Sequence, residues 1–157
     1  MKQLEPHSKA IGENTFYIRP LPAFKAANMS GELATLILPL LTGLAPLYAG
    51  ENKDNNLLDI DLEKASPAIS SAFASLSGDK LEAILKHLLI AGKNISFETP
   101  DSEKAQLLTE DLANELFCED VQDMFLLAFE VIRTNYSGFF KKLTARFGTA
   151  MGALMKK

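Results

Sequence analysis

At 157 residues, with 47% hydrophobic and 23% charged side chains, the chain has the length and composition of one packed globular domain, which argues against a disordered polypeptide. A formal charge of −4 excludes a general attraction to nucleic acid or anionic membranes. Cys118 is the single cysteine, so no internal disulfide can form and a reducing compartment is expected.

Residues 1–12 hold no apolar run of signal-peptide length and read as a loose lead-in. Gly12-Glu-Asn14 is a turn, and Thr15 to Leu21, rich in β-branched and aromatic residues, is a strand over 15–20. Pro20 removes a backbone donor, so the strand should end there or lie at an edge, while Pro22 suits the first turn of a helix. Phe24, Ala27, Leu33, Leu36, Ile37, Leu40, Leu41 and Leu44 then fall on one helical face, with a break expected at Asn28-Met-Ser-Gly31 and Ser30 capping the second piece. Leu33 to Gly50 carries no charge. Pro39, Gly43 and Pro46 interrupt it, and Glu32 and Glu51 flank it where lysine or arginine would favour a membrane anchor. It reads as a buried, broken helical hairpin rather than a span.

After the polar loop Ala49 to Asn56, a helix is expected to begin near Ser66, because Pro67 fits a helix start better than an interior. Ser77-Gly-Asp79 opens another, with Leu81, Ile84, Leu85, Leu88 and Leu89 as its apolar face and Gly92 as its C-terminal cap. Ile95 and Phe97 alternate with polar residues, which gives a second strand over 94–99. Asp101 to Gln106 is a charged loop. Thr109 then caps a short helix, 110–117, with acids in its first turn.

Val121 to Phe147 organises the rest. Met124 to Ile132 is interrupted only by Glu130, and a helix apolar almost all round is a buried central one. Asn135 or Ser137 can cap a following helix that carries Phe139, Phe140, Leu143, Phe147, Met151 and Leu154 on one side and Lys141, Lys142 and Arg146 on the other. Charge is uneven here: Asp101 to Asp123 holds eight acids and one base, Lys104, whereas Arg133 to Lys157 holds bases and no acid. Such a pattern is met in two solvated helix faces, or in a bipolar surface for a protein partner.

The expected fold is therefore mainly α, a small helical bundle with a minor two-stranded sheet formed by 15–20 and 94–99. One domain spans 1–157, with 148–157, after Gly148, as a mobile C-terminal tail.

No phosphate loop, zinc spacing, nucleophile elbow or kinase motif occurs, so no catalytic residue, cofactor or metal site is assigned and no enzyme is expected. His7 and His87 join no carboxylate pattern. The acids Glu110, Asp111, Glu115, Glu119, Asp120 and Asp123 lack the spacing and turn glycine of a calcium loop. Cys118, between Phe117 and Glu119, reads as a small buried hydrophobe. The remaining feature is the stripe Phe139, Phe140, Phe147, Met151 and Leu154, a candidate partner-binding face for an apolar helix.

TFYIRPLPAFKAANMSGELATLILPLL near the start and LTEDLANELFCEDVQDMFLLAFEVIRTNYSGFFKKL later resemble, in order and separation, the tail assembly chaperones of long-tailed bacteriophages. The likeness covers Thr15 to Phe147, and the linker Ala49 to Ala65 carries little of it. Arg19-Pro20-Leu21-Pro22 together with Asn135 and Phe139-Phe140 are its most specific parts. The resemblance implies a mostly helical protein of the host cytoplasm that binds the tape measure protein, helps recruit tail tube subunits, and is absent from the mature virion. It also implies, in many such phages, a longer form made by ribosomal slippage, with which Lys156-Lys157 is compatible. Neither nucleic acid nor membrane is an expected partner. The rival expectation is a structural virion protein, a tail tube or connector subunit.

Overall fold

The computed structural model describes residues 6–33, 36, 62–102 and 104–136. Two strands open it, β1 (His7–Ile11) and β2 (Asn14–Ile18), paired antiparallel from Ile11 opposite Asn14 to His7 opposite Ile18. Gly12 turns the hairpin. Its φ of 62° sits at the first of two central positions, as a two-residue turn matched to strand twist requires. A Cβ at Gly12 would also lie 2.9 Å from Asp123 Oδ2, so the turn is seated on another element. β3 (Ile95–Glu98) pairs with β2, setting Phe97 opposite Phe16 and Ile95 opposite Ile18, and β4 (Gln106–Leu107) pairs with β3.

The two-stranded sheet is thereby corrected to four antiparallel strands in the order β1-β2-β3-β4. The two expected strands exist and pair with each other, as β2 and β3. The additions lie where alternation is weakest: His7–Ile11, read as lead-in, is an edge strand of mostly polar residues, and Gln106–Leu107 is two residues long. Period two places Phe16, Ile18, Ile95 and Phe97 on one face, all of them buried.

Five helices accompany the sheet among the described residues: α1 (23–33), α2 (Leu62–Ala74), α3 (Gly78–Lys86), α4 (Glu110–Leu116) and α5 (121–136). α1 starts beyond the strand-ending prolines, with the Ala26 amide donating to the Pro22 carbonyl at 2.9 Å. It runs unbroken through Asn28-Met-Ser-Gly31. The Ser30 hydroxyl donates to the Ala27 carbonyl one turn back, at 2.6 Å, instead of capping a new helix. The buried face of α1 is Met29 and Leu33, continued by Leu36, while Phe24 is 93% exposed, off the apolar stripe expected for it.

α2 begins at Leu62, four residues before Ser66, and keeps Pro67 inside. Pro67, the sixth residue of α2, removes one helical hydrogen bond, and Ala65 and Ile69, both fully buried, anchor the turns around it. Ser77 caps α3, accepting from the Lys80 amide, and Thr109 caps α4, accepting from the Leu112 amide at 3.3 Å. α3 continues into a π turn, His87–Ala91, ended by Gly92. In α5 every residue from Leu126 to Ile132 is buried, as its sequence predicts for a central helix.

One apolar cluster joins all of these elements but β4, with Phe16, Phe73, Phe129, Ile18, Leu33 and Ile69 among its fully buried side chains. The Phe117 ring, just past α4, lies stacked on Phe16 with centroids 5.9 Å apart and so fastens α4 to the sheet. Phe117 takes the inward position at this turn, which leaves Cys118 exposed rather than buried.

Gly92 is a glycine for space rather than for φ. Its backbone is right-handed, at φ −79°, and the positive φ of 50° falls on Lys93. A Cβ at Gly92 would stand 2.5 Å from Leu21 Cδ2 and 2.9 Å from Asn94 Oδ1. Leu21 and Asn94 are both buried and cannot simply swing outward. Gly92→Ala should therefore cost about 1–3 kcal/mol in chemical denaturation, the range for overpacking.

Candidate functional site

α3, α4 and the first turns of α5 enclose an apolar groove of about 370 Å³. The Ser77 cap fixes where α3 starts. From there Leu81, Leu85 and Leu89 recur every four residues down one wall, and the π turn adds Ile90. The opposite wall is Ala113 of α4 with Val121, Met124 and Phe125 of α5. Phe125 is stacked against the buried Phe73 at 5.3 Å with the rings 7° apart, so a fully buried aromatic backs the groove. Val121 is 50% exposed at the mouth, an uncommon position for a branched apolar residue in the first turn of a helix.

The polar atoms stand at the rim. Lys86 Nζ bridges α3 to α4, 3.2 Å from Glu82 Oε1 and 3.0 Å from Glu110 Oε1. Its hydrogen bonds to Glu110 first, and then to Glu82, hold the ammonium above the ordinary lysine value. Asp123, in the first turn of α5, faces Gly12 of the hairpin instead, and its carboxyl is raised by burial and then by Asp120. Polar groups at the edge of an apolar trough suit a surface that takes apolar side chains, not one that converges on a reacting atom.

A second locus joins the stretch after β2 to the end of α5, 114 residues apart at Leu21 and Asn135. The Leu21 amide donates to Asn135 Oδ1 at 2.6 Å, and Asn135 Nδ2 donates to the Val131 carbonyl at 2.8 Å. The Tyr136 hydroxyl donates to the Ala26 carbonyl. On the other side Asn94 clasps Arg19 twice: Asn94 Nδ2 donates to the Arg19 carbonyl at 2.9 Å, and the Arg19 amide donates to the Asn94 carbonyl at 2.8 Å. The Arg19-Pro20-Leu21-Pro22 stretch and Asn135, the residues most characteristic of the family resemblance, are thus in contact. Asn135 lies inside α5, and the later helix that it or Ser137 was expected to cap lies outside the described residues.

Neither histidine stands apart from a carboxylate. His7 Nε2 lies 3.4 Å from Glu130 Oε2, and His87 Nδ1 lies 2.6 Å from Glu32 Oε2. In each case strand or helix packing joins residues too far apart in sequence for spacing to reveal. Among the described residues no group of three metal-ligating side chains occurs, and no helix is long and apolar enough to cross a membrane.

The expected partner stripe, Phe139, Phe140, Phe147, Met151 and Leu154, lies outside the described residues, as do the tail 148–157 and most of the 33–50 hairpin. The groove itself is invisible to periodicity because three separate helices build it. The one sequence signal for it was Val121, an apolar residue set among acids at a helix start.

A family model described as phage tail assembly chaperone protein, TAC, matches residues 12–148. No curated protein and no solved structure matches the chain.

Proposed function

The chain belongs to the phage tail assembly chaperones, and on that premise we propose that it transiently holds an apolar helix of the tape measure protein and so promotes assembly of the tail tube. The observation that carries this reading is the open apolar groove walled by Leu81, Leu85, Leu89, Met124 and Phe125, with Val121 half exposed at its mouth. A chaperone must cover a partner's apolar surface and let it go again. A groove of this size takes a few side chains and gives the weak, reversible hold that such a role needs.

Under this proposal the chain is not an enzyme: no bond is made or broken, and no cofactor is required. It acts in the host cytoplasm on tail proteins, the tape measure protein foremost and the tube protein second, and leaves before the virion matures. Phe139, Phe140, Phe147, Met151 and Leu154 are proposed as a further apolar surface for the same client.

Co-expression with the tape measure protein of the same genome tests the role. The soluble fraction of that protein should rise with the chain present, and the rise should shrink with Phe147→Asp and Met151→Asp combined. A tape measure protein equally insoluble with and without the chain would refute the reading. So would mass spectrometry of purified particles that found the chain in stoichiometric amount, the mark of a structural tail subunit.

A further inference from the structure

We infer that the groove between α3 and α5 selects cationic amphipathic helices, so that its client is a tail-protein helix with lysine or arginine flanking an apolar stripe. The inference rests on the chaperone reading and adds the chemistry of the partner.

The walls set the shape. Leu81 to Ile90 spans nine helical steps, about 13 Å at 1.5 Å per residue. That length accommodates two to three turns of a partner helix, roughly its positions i, i+4 and i+7. Leu81 and Ile90 stand half-buried at the two ends, while Leu85 and Leu89 are buried and form the floor between them, a trough into which the side chains of another helix can insert. The groove offers no free strand edge, which argues against an extended peptide.

The rim sets the sign. Residues 78–86 and 110–123, which build and surround the groove, carry eight carboxylates and two lysines. This region is more negative than the chain as a whole, whose formal charge is −4. Glu82 and Glu110 line the mouth itself, and the one lysine between them, Lys86, is already engaged by both. Asp79, Asp111 and Glu115 are exposed on α3 and α4, and Glu119 and Asp120 are exposed in the connection to α5; charges on a surface act over a Debye length of about 8 Å at physiological salt. An incoming anionic helix meets repulsion, and a cationic one is steered in and held in register.

Two synthetic 18-residue helical peptides with an identical leucine stripe, one flanked by lysines and the other by glutamates, test this against the full-length protein by fluorescence anisotropy. The lysine peptide should bind about tenfold or more tightly at physiological ionic strength, and the gap should close toward 1 M salt. Val121→Gln with Met124→Gln should weaken the lysine peptide about tenfold, as lost apolar contact in the groove. Glu82→Gln with Glu110→Gln, at exposed positions that leave the fold intact, should bring the two peptides to near-equal affinity. Equal binding of both peptides to the wild type would overturn the inference, as would a lysine peptide indifferent to the Val121 and Met124 changes. A wild-type dimer that these two changes convert to monomer would overturn it as well, since the groove would then be filled by a second copy. The chaperone reading is scored separately, by whether the wild type solubilises the tape measure protein.

Discussion

Replacing Glu130 with alanine should destabilise the domain by about 3–5 kcal/mol, the cost of removing one partner from a buried ion pair. Glu130 is 1% exposed in the middle of α5, the only charged residue in its apolar run. One carboxylate oxygen accepts from Arg133, whose guanidinium lies 5.3 Å over the Phe129 ring, and the other faces His7 of β1. Without the carboxylate, the central helix loses a buried acceptor paired with Arg133, whose side chain is 10% exposed, and the edge strand loses its tie to that helix. A loss of this size corresponds to a fall in melting temperature of roughly 6–20 °C for a domain of this length. His7→Ala should cost far less, within about 1 kcal/mol, because that side chain is half exposed. Glu130→Leu combined with Arg133→Leu should be milder than Glu130→Ala alone, since no cation is then left in the apolar layer. A Glu130→Ala protein that melts like wild type would show that the Glu130–Arg133 pair adds nothing net to stability.

Much of this frame can be read locally. Ser77 and Thr109 are caps because a hydroxyl precedes acids and an apolar repeat; Thr109 caps as expected, and α3 opens at Ser77 where a helix start is expected. The burial of Leu126 to Ile132 follows from the absence of any polar stripe on α5. Phe16, Ile18, Ile95 and Phe97 announce two strands by alternation. The errors arise where tertiary contact overrides a local preference. His7–Ile11 is a strand because β2 offers it a partner across Gly12, not because its own residues alternate. Ser30 and Gly31 continue a helix because Met29 and Leu33 are buried on either side of them. Cys118 faces outward because Phe117, its neighbour, occupies the inward place, and Phe24 lies off the face of α1 that Met29 and Leu33 bury. The site was less legible than the fold. The stripe from Phe139 to Leu154 has the composition of a binding face, yet the groove among the described residues draws on three helices, and no one-dimensional pattern joins Leu85, Ala113 and Val121.

Phe16→Ala and Phe125→Ala should separate the core from the groove. Phe16 is fully buried, opposite Phe97 across the strands at 6.3 Å and stacked on Phe117 at 5.9 Å. Its truncation opens a cavity where β2, β3 and the end of α4 meet, and sheet and helix cannot collapse together to fill it. The expected cost is about 3–5 kcal/mol by urea denaturation, with little change in m because the same surface is exposed on unfolding. Phe125 has one face on Phe73 and another on the groove, so only part of its area is withdrawn from water. Its truncation should cost about 1–2 kcal/mol, from the lost stacking and half of the apolar burial. The order should reverse for partner binding: Phe125→Ala should weaken the lysine peptide about tenfold, the equivalent of 1.4 kcal/mol, while Phe16→Ala should leave its affinity unchanged at temperatures where the variant is folded. Were Phe125→Ala as damaging to stability as Phe16→Ala, with no effect on peptide affinity, Phe125 would belong to the closed core in solution, and the groove would lack the aromatic wall that a client helix is proposed to meet.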